Sequence, residues 1–276
     1  MIPFDFSYHK PANVGEALET FNNLTKNNLP PVYYSGGTEI ISFARLGKIT
    51  FPAVIDIKGI PETGFLGIDS GYLKIGSTVT LNCLVAQDFC TPLKKIAERV
   101  ADYTIRNRLT LGGNLCGRLP YREALLPLLL LDCTVLIAGP GGIYQQELRS
   151  LFNKRLLLKP GELLLSLQIP EKNLNPPFAA FRYTRFSEID YPLAMTLLIK
   201  KGEEIHGAVT GLSNSPCLLD YATPLFTDCS LSKVDRAEKI ATLFPNPIRE
   251  DYLGSAEYRL FLFKKALAES LRKLEE

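Results

Sequence analysis

Two glycine pairs follow apolar runs in this chain: Ser35-Gly36-Gly37-Thr38 after Val32-Tyr33-Tyr34, and Thr110-Leu111-Gly112-Gly113-Asn114 after Ile105-Arg106-Asn107-Arg108-Leu109. Without a Cβ, backbone N–H groups can come close to an anion, and the hydroxyl and amide side chains at both edges add further polar groups. The chemistry this serves is recognition of a diphosphate, which carries paired charges and several acceptor oxygens. A single Gly-Gly loop is ordinary turn punctuation. Two, with polar residues flanking both, point to a dinucleotide. Neither GxGxxG nor GxxxxGK[ST] occurs, so a Rossmann domain and a P-loop are disfavoured.

No other constellation competes. The six cysteines, Cys83, Cys90, Cys116, Cys133, Cys217 and Cys229, lack the short spacings that hold zinc or an iron–sulfur cluster, and are expected to be reduced and mostly buried thiols with no metal. His9 and His206 have no partner at ligand spacing and read as structural or exposed. No Ser/His/Asp or Cys/His set can be assembled, so no catalytic side chain is assigned.

The elements that must position the two loops can be read from periodicity. Val14 to Leu24 has helical spacing, Val32-Tyr33-Tyr34 is a strand, Gly36-Gly37 turns into a helix over Thr38 to Leu46, and Ala53 to Ile57 is a second strand. From residue 65 onward short strands dominate. Tyr72 to Ile75 is one, a helix over Pro92 to Asp102 leads to the second loop, and Glu123 to Leu131 is helical. Val135–Ala138 and Ile143–Glu147 flank Gly139-Pro140-Gly141-Gly142 as a hairpin, and Leu163 to Ile169 is a further strand. Glu171 to Pro177 is polar and proline-rich, the expected linker. Beyond it come strands at Ala194–Ile199 and Gly207–Leu212, and helices at Lys233–Phe244 and Ala256–Leu274.

Composition narrows the partners. The chain has 276 residues, 46% of them hydrophobic, enough for two modest cores. A formal net charge of +2 without a basic run gives no reason to expect nucleic acid or an anionic membrane. The N-terminus lacks the basic start and apolar core of an export signal, and the leucine run Ala124–Leu131 is too short to span a bilayer. A cytoplasmic protein is expected.

The runs Tyr33-Tyr-Ser-Gly-Gly-Thr-Glu-Ile40, Ile105-Arg-Asn-Arg-Leu-Thr-Leu-Gly-Gly-Asn114, Leu158-Lys-Pro-Gly-Glu-Leu-Leu-Leu-Ser-Leu-Gln-Ile-Pro170 and Phe178-Ala-Ala-Phe-Arg182, in this order, resemble the FAD-binding medium subunit of molybdenum hydroxylases, the family of xanthine dehydrogenase and carbon monoxide dehydrogenase. The resemblance covers nearly the whole chain. It implies an α+β protein: a two-part FAD-binding domain of the vanillyl-alcohol-oxidase (PCMH) type over residues 1–170, with subdomains at about 1–60 and 61–170, then a smaller α+β domain over 178–276.

It also implies an oxidoreductase subunit that takes electrons from [2Fe–2S] clusters on a partner subunit, next to a molybdopterin subunit, and passes them from FAD to NAD+ in the manner of xanthine dehydrogenase. The family's first loop falls on Tyr33, Tyr34, Ser35, Gly36, Gly37, Thr38, Glu39 and Ile40, and its second on Thr110, Leu111, Gly112, Gly113 and Asn114, both expected at the diphosphate and ribityl. Asn107 is expected to orient the second loop or meet the cofactor. A family acidic residue, usually Asp, falls on Glu123, a leucine on Leu164 and a basic residue near the flavin on Arg182, where relatives carry Lys. The alternatives are a stand-alone FAD oxidoreductase of the same fold and an FAD-binding assembly protein without turnover.

Overall fold

The computed structural model describes residues 1–276 and packs as two compact units. The first comprises Met1–Gln87, Tyr103–Arg118 and Asp132–Glu171; the second comprises Asp88–Asp102, Leu119–Leu131 and Lys172–Glu276. The second unit resumes at Lys172, inside the polar linker, but it also takes two earlier segments that a contiguous division at residue 170 leaves with the first. They belong there because Leu125–Leu130 packs on the strands Pro192–Lys201 and Glu204–Thr210, and Thr91–Ala97 packs on Leu125–Leu130.

The first unit opens with a small parallel sheet. Strands β1 (Ser7–His9) and β2 (Val32–Tyr34) both pair in parallel with β3 (Ala53–Asp56) between them. The crossovers are helices α1 (Val14–Lys26) and α2 (Thr38–Arg45). Helix α1 starts where the N-cap Asn13 accepts the Glu16 N–H at 2.9 Å, while the Glu16 carboxylate accepts the N–H of Ala12, one residue before the cap, at 2.7 Å. Val14 and Ala17 face Ile55, Ile57 and Ile60 in one apolar cluster, so the helical spacing read from the sequence is the spacing of a buried face. Every residue of β3 is buried, as expected for the central strand of a parallel sheet.

After the short helix α3 (Pro61–Gly64), an antiparallel sheet forms from β4 (Leu66–Asp69) and β5 (Tyr72–Gly76), then β6 (Thr134–Gly139) and β7 (Gly142–Glu147). Between β5 and β6 in the chain lie α4 (Leu81–Val85), α5 (Thr91–Ala97), α6 (Tyr103–Arg106), α7 (Leu111–Cys116) and α8 (Leu125–Leu130). After β7 come α9 (Leu148–Leu151), a two-residue pair β8 (Phe152–Asn153) and β9 (Arg155–Leu156), and β10 (Leu163–Pro170). The sheet order is β4-β5-β10-β6-β7, so the last strand in sequence is the middle of the sheet. The expected hairpin forms around Gly139–Gly142. The helix expected over Pro92–Asp102 stops at Ala97, and the chain turns through Ala101 at φ 51°.

The second unit is a four-stranded antiparallel meander of β11 (Phe178–Thr184), β12 (Pro192–Lys201), β13 (Glu204–Thr210) and β14 (Cys217–Leu218), with α10 (Thr223–Phe226), α11 (Lys233–Thr242) and α12 (Ala256–Glu275). Its core joins Leu198 and Val209 from the sheet to Ile240 of α11 and Phe263 and Leu267 of α12. The thiols divide evenly: Cys90 and Cys133 are buried, Cys217 is half-buried, and Cys83, Cys116 and Cys229 are exposed, so the expectation of mostly buried cysteines is corrected. Spacing alone does not show which face of a short element a thiol occupies. No helix is long and apolar enough to cross a membrane.

Phe263 is fully buried and meets the Phe244 ring edge-on at 5.7 Å. Phe263→Ala is expected to lower unfolding free energy by about 3–5 kcal/mol, read by urea denaturation.

Candidate functional site

Both glycine pairs lie in the first unit, and the structure brings them together. Ser35 follows β2 and donates its Oγ hydrogen bond to Thr110 Oγ1 at 3.1 Å. Gly36 follows, pressed on the residues that lead into the second pair. A Cβ built there would sit 1.8 Å from the Arg108 carbonyl oxygen, which no rotamer could relieve. Gly37 has φ 71° and forms the N-cap of α2, where a side chain would meet the Tyr34 ring at 2.3 Å. This N-cap supplies no side-chain acceptor, so the first amides of α2 (Thr38, Glu39 and Ile40) lack an intrahelical acceptor and carry the positive end of the helix dipole.

The second pair is not a loop. Leu111, Gly112, Gly113 and Asn114 form the first turn of α7, with Thr110 as N-cap accepting the Gly113 N–H at 3.2 Å. The Thr-x-x-Gly spacing carried this signal, but two adjacent glycines, poor helix formers, masked it. Helix α7 docks on the segment after β5: Leu111 N donates to Val79 O at 2.9 Å, Gly112 N to Ser77 O at 2.9 Å, and Thr80 bridges Thr110. The Ser77 N–H in turn reaches Leu165 O at 2.9 Å, where β10 bulges between Leu164 and Ser166. Leu164 is thus buried at the bulge that carries the second glycine pair's support.

Several expected site residues hold the loops in place. Both carboxylate oxygens of Glu39 accept the Arg118 N–H, at 2.8 and 3.0 Å, tying the start of α2 to the chain just past α7. Tyr33 stacks on Phe21 and donates its hydroxyl to Gly161 O at 3.0 Å; burial pushes its phenol well above the usual range. Ile40 and Tyr34 pack on the apolar cluster of Ala44, Phe51 and Val54. Asn107 accepts from Asn82 Nδ2 at 2.8 Å, and Asn82 Oδ1 accepts from Arg106 Nε at 3.0 Å, a set that fixes α6 before the second pair.

Glu123 and Arg182 lie in the second unit, where they are each other's partner. Arg182 donates Nε to Glu123 Oε2 at 2.7 Å and Nη2 to Oε1 at 3.3 Å, with both side chains at most 5% exposed. The guanidinium also donates to the carbonyls of Glu188, at 2.7 Å, and Asp190, at 2.5 Å. Burial pushes the Glu123 carboxyl up, against the pull of Arg182.

One group at the site was not anticipated from sequence. Asp56, at the end of β3, has a side chain only 4% exposed and accepts hydrogen bonds from the Lys58 N–H at 3.0 Å, from Lys58 Nζ at 2.7 Å and from the Tyr8 hydroxyl. Burial raises its carboxyl's pKa, but these bonds outweigh it and hold it below the ordinary aspartate range. The Asp56 bond pushes the Tyr8 phenol up to about 12. In sequence, Asp56-Ile57-Lys58 reads as the end of a strand.

A phosphorylated ligand fits this geometry. Two buried polar atoms beside the second pair, Ser77 Oγ and Asn114 Oδ1, have no hydrogen-bond partner in the protein, although buried polar atoms are normally paired. At Gly113 an added Cβ would touch only the capping Thr110 Oγ1, leaving that face of α7 open to close approach.

Comparison with known proteins shows the family. Residues 4–172 match the family described as FAD binding domain in molybdopterin dehydrogenase. The chain is 24% identical over 274 residues to the carbon monoxide dehydrogenase medium chain of Afipia carboxidovorans, covering 94% of this chain and 93% of that one. It is 30% identical over 146 residues to a xanthine dehydrogenase FAD-binding subunit of Escherichia coli O157:H7, covering 51% and 49%. Among solved structures, carbon monoxide dehydrogenase from Hydrogenophaga pseudoflava superposes with a TM-score of 0.88 over 100% of this chain and 99% of that one, at 21% identity, which shows a shared fold.

Two outcomes test this geometry. Gly36→Ala, whose added methyl must displace the Arg108 carbonyl, is expected to purify without bound cofactor, and a fully loaded protein would contradict the packing. A carboxyl held below its unfolded value, as at Asp56, contributes stability that is present above about pH 4 and lost as pH falls through the folded value. The drop in Tm between about pH 5 and 3 is therefore expected to be smaller in Asp56→Asn than in the wild type.

Proposed function

The chain belongs to the FAD-binding subunits of the molybdenum hydroxylase family, and from that membership we propose that it accepts electrons from [2Fe–2S] clusters on a partner subunit, beside a molybdopterin-binding subunit, and delivers them to NAD+, as a xanthine dehydrogenase-like enzyme does. Bound FAD supplies the redox chemistry, which is the cofactor's own, while the protein supplies position and electrostatics.

The observation that carries the assignment of the site is the direct junction of the two glycine segments, through Ser35 Oγ to Thr110 Oγ1 at 3.1 Å and Gly36 against the Arg108 carbonyl. It supports a single diphosphate cradle rather than two unrelated turns. In this reading the amides of Gly37, Thr38 and Glu39 at the start of α2 would help hold the diphosphate, aided by the helix dipole. Gly113 would let the α7 backbone come close to the ligand, where Ser77 Oγ would serve as a donor and Asn114 Oδ1 as an acceptor. Thr110 keeps both segments in register, and Glu39 closes the cradle by holding Arg118.

The six cysteines are all free, which suits the reducing cytoplasm in which we place the complex. Hydride exchange with NAD+ calls for no acid or base on the protein, in keeping with the lack of a recognisable catalytic set.

Stopped-flow mixing of the FAD-loaded chain with NADH tests the electron acceptor. Loss of oxidised-flavin absorbance is expected. A flavin that stays oxidised, both in the isolated chain and in the complete complex, would contradict NAD+ as acceptor, and a chain that retains no FAD would overturn the whole reading.

A further inference from the structure

We propose that Lys58 is the positioning residue of the FAD cradle: its ammonium clamps the Ser35 carbonyl and so sets the affinity for the diphosphate. This rests on the FAD reading above and extends it to a residue outside both glycine segments. Lys58 Nζ donates to Ser35 O at 3.0 Å and to Asp56 Oδ1 at 2.7 Å, and it lies 4.3 Å from the centre of the Tyr34 ring. The residue therefore touches both positions that precede Gly36-Gly37.

The geometry explains why a charged donor sits there. A backbone carbonyl next to an anion-binding turn presents the wrong sign of charge to the ligand, and an ammonium bonded to it offsets that partial charge. Ser35 is then held at two points: its carbonyl by Lys58, and its hydroxyl by Thr110. The cation over Tyr34 steadies the ring against which Gly37 is packed. Asp56 aims the arrangement. Its carboxylate is fixed by the Tyr8 hydroxyl and the Lys58 N–H, so it orients the ammonium without relying on it. The Lys58 side chain is 42% exposed, so replacing it removes one rigid restraint on the turn without opening a cavity, although the loss of its bond to buried Asp56 lowers stability somewhat. Restraints of this kind show up in ligand affinity, because an unclamped turn must be ordered when the ligand binds.

The test is FAD titration of the full-length apoprotein, followed by flavin fluorescence quenching, for the wild type and for Lys58→Met, Lys58→Gln and Lys58→Arg, with apoprotein Tm measured alongside. Lys58→Met and Lys58→Gln are expected to raise the Kd for FAD about tenfold, the order given by one lost charge-assisted hydrogen bond. Lys58→Arg, which keeps the charge and the donors, is expected to recover most of that loss, and all four apoproteins are expected to stay folded at the titration temperature, the neutral two melting somewhat lower for want of the Asp56 pair. Unchanged FAD affinity in both neutral variants would overturn the proposal, as would an Arg variant no better than the neutral ones or an affinity loss seen only where the apoprotein is unfolded at the titration temperature. Should Lys58→Met not fold, Lys58→Gln decides. A wild-type apoprotein that binds no FAD would instead remove the functional reading on which this one stands.

Discussion

The first unit is organised around one close approach, the backbone of Gly36 against the carbonyl of Arg108. At that distance no side chain can stand between the two segments, so their spacing is set by main chain alone, and the Ser35–Thr110 hydroxyl bond fixes their register. Much of the rest supports this junction. The parallel sheet delivers Ser35 from β2, and Tyr33 is pinned to Gly161 on the approach to β10. The bulge in β10 frees Leu165 O for Ser77, and Ser77 O takes the Gly112 amide. Glu39 then ties the far end of α7 back to α2 through Arg118. The junction is thus held from three sides.

What the sequence made legible follows from how local each signal is. The helix at Val14, the strand Val32–Tyr34 with its Gly-Gly turn, the Gly139–Gly142 hairpin and the long strand from Leu163 are all written in adjacent residues, and all form. The helical character of Leu111–Cys116 was hidden by its own glycines, because propensity opposes a conformation that the Thr110 cap and docking on Val79 and Ser77 impose. Strand β11 was hidden for a different reason: Phe178–Thr184 is mostly half-buried, with its apolar residues not in strict alternation. The segments 88–102 and 119–131 join the second unit through contacts with residues far along the chain, and no local pattern carries that information.

The family resemblance, read residue by residue, left the structural roles of these residues open. Glu39, expected at the cofactor, serves as an acceptor for the Arg118 amide. Glu123 and Arg182 form a buried bidentate pair, and the Arg at that position explains the match. A guanidinium can take a carboxylate with two nitrogens and still reach the carbonyls of Glu188 and Asp190, which a lysine ammonium could not do in the same plane. Asp56 and Lys58 escaped notice because they sit at a strand end, and only the fold brings them to Ser35.

The central claim is that the two glycine segments act as one site. Amide hydrogen exchange of the full chain, with and without FAD, tests it most directly. The account predicts that residues 35–40 and 110–118 gain protection together, over the same range of FAD concentration. Protection of only one segment, or of neither while FAD is bound, would contradict it.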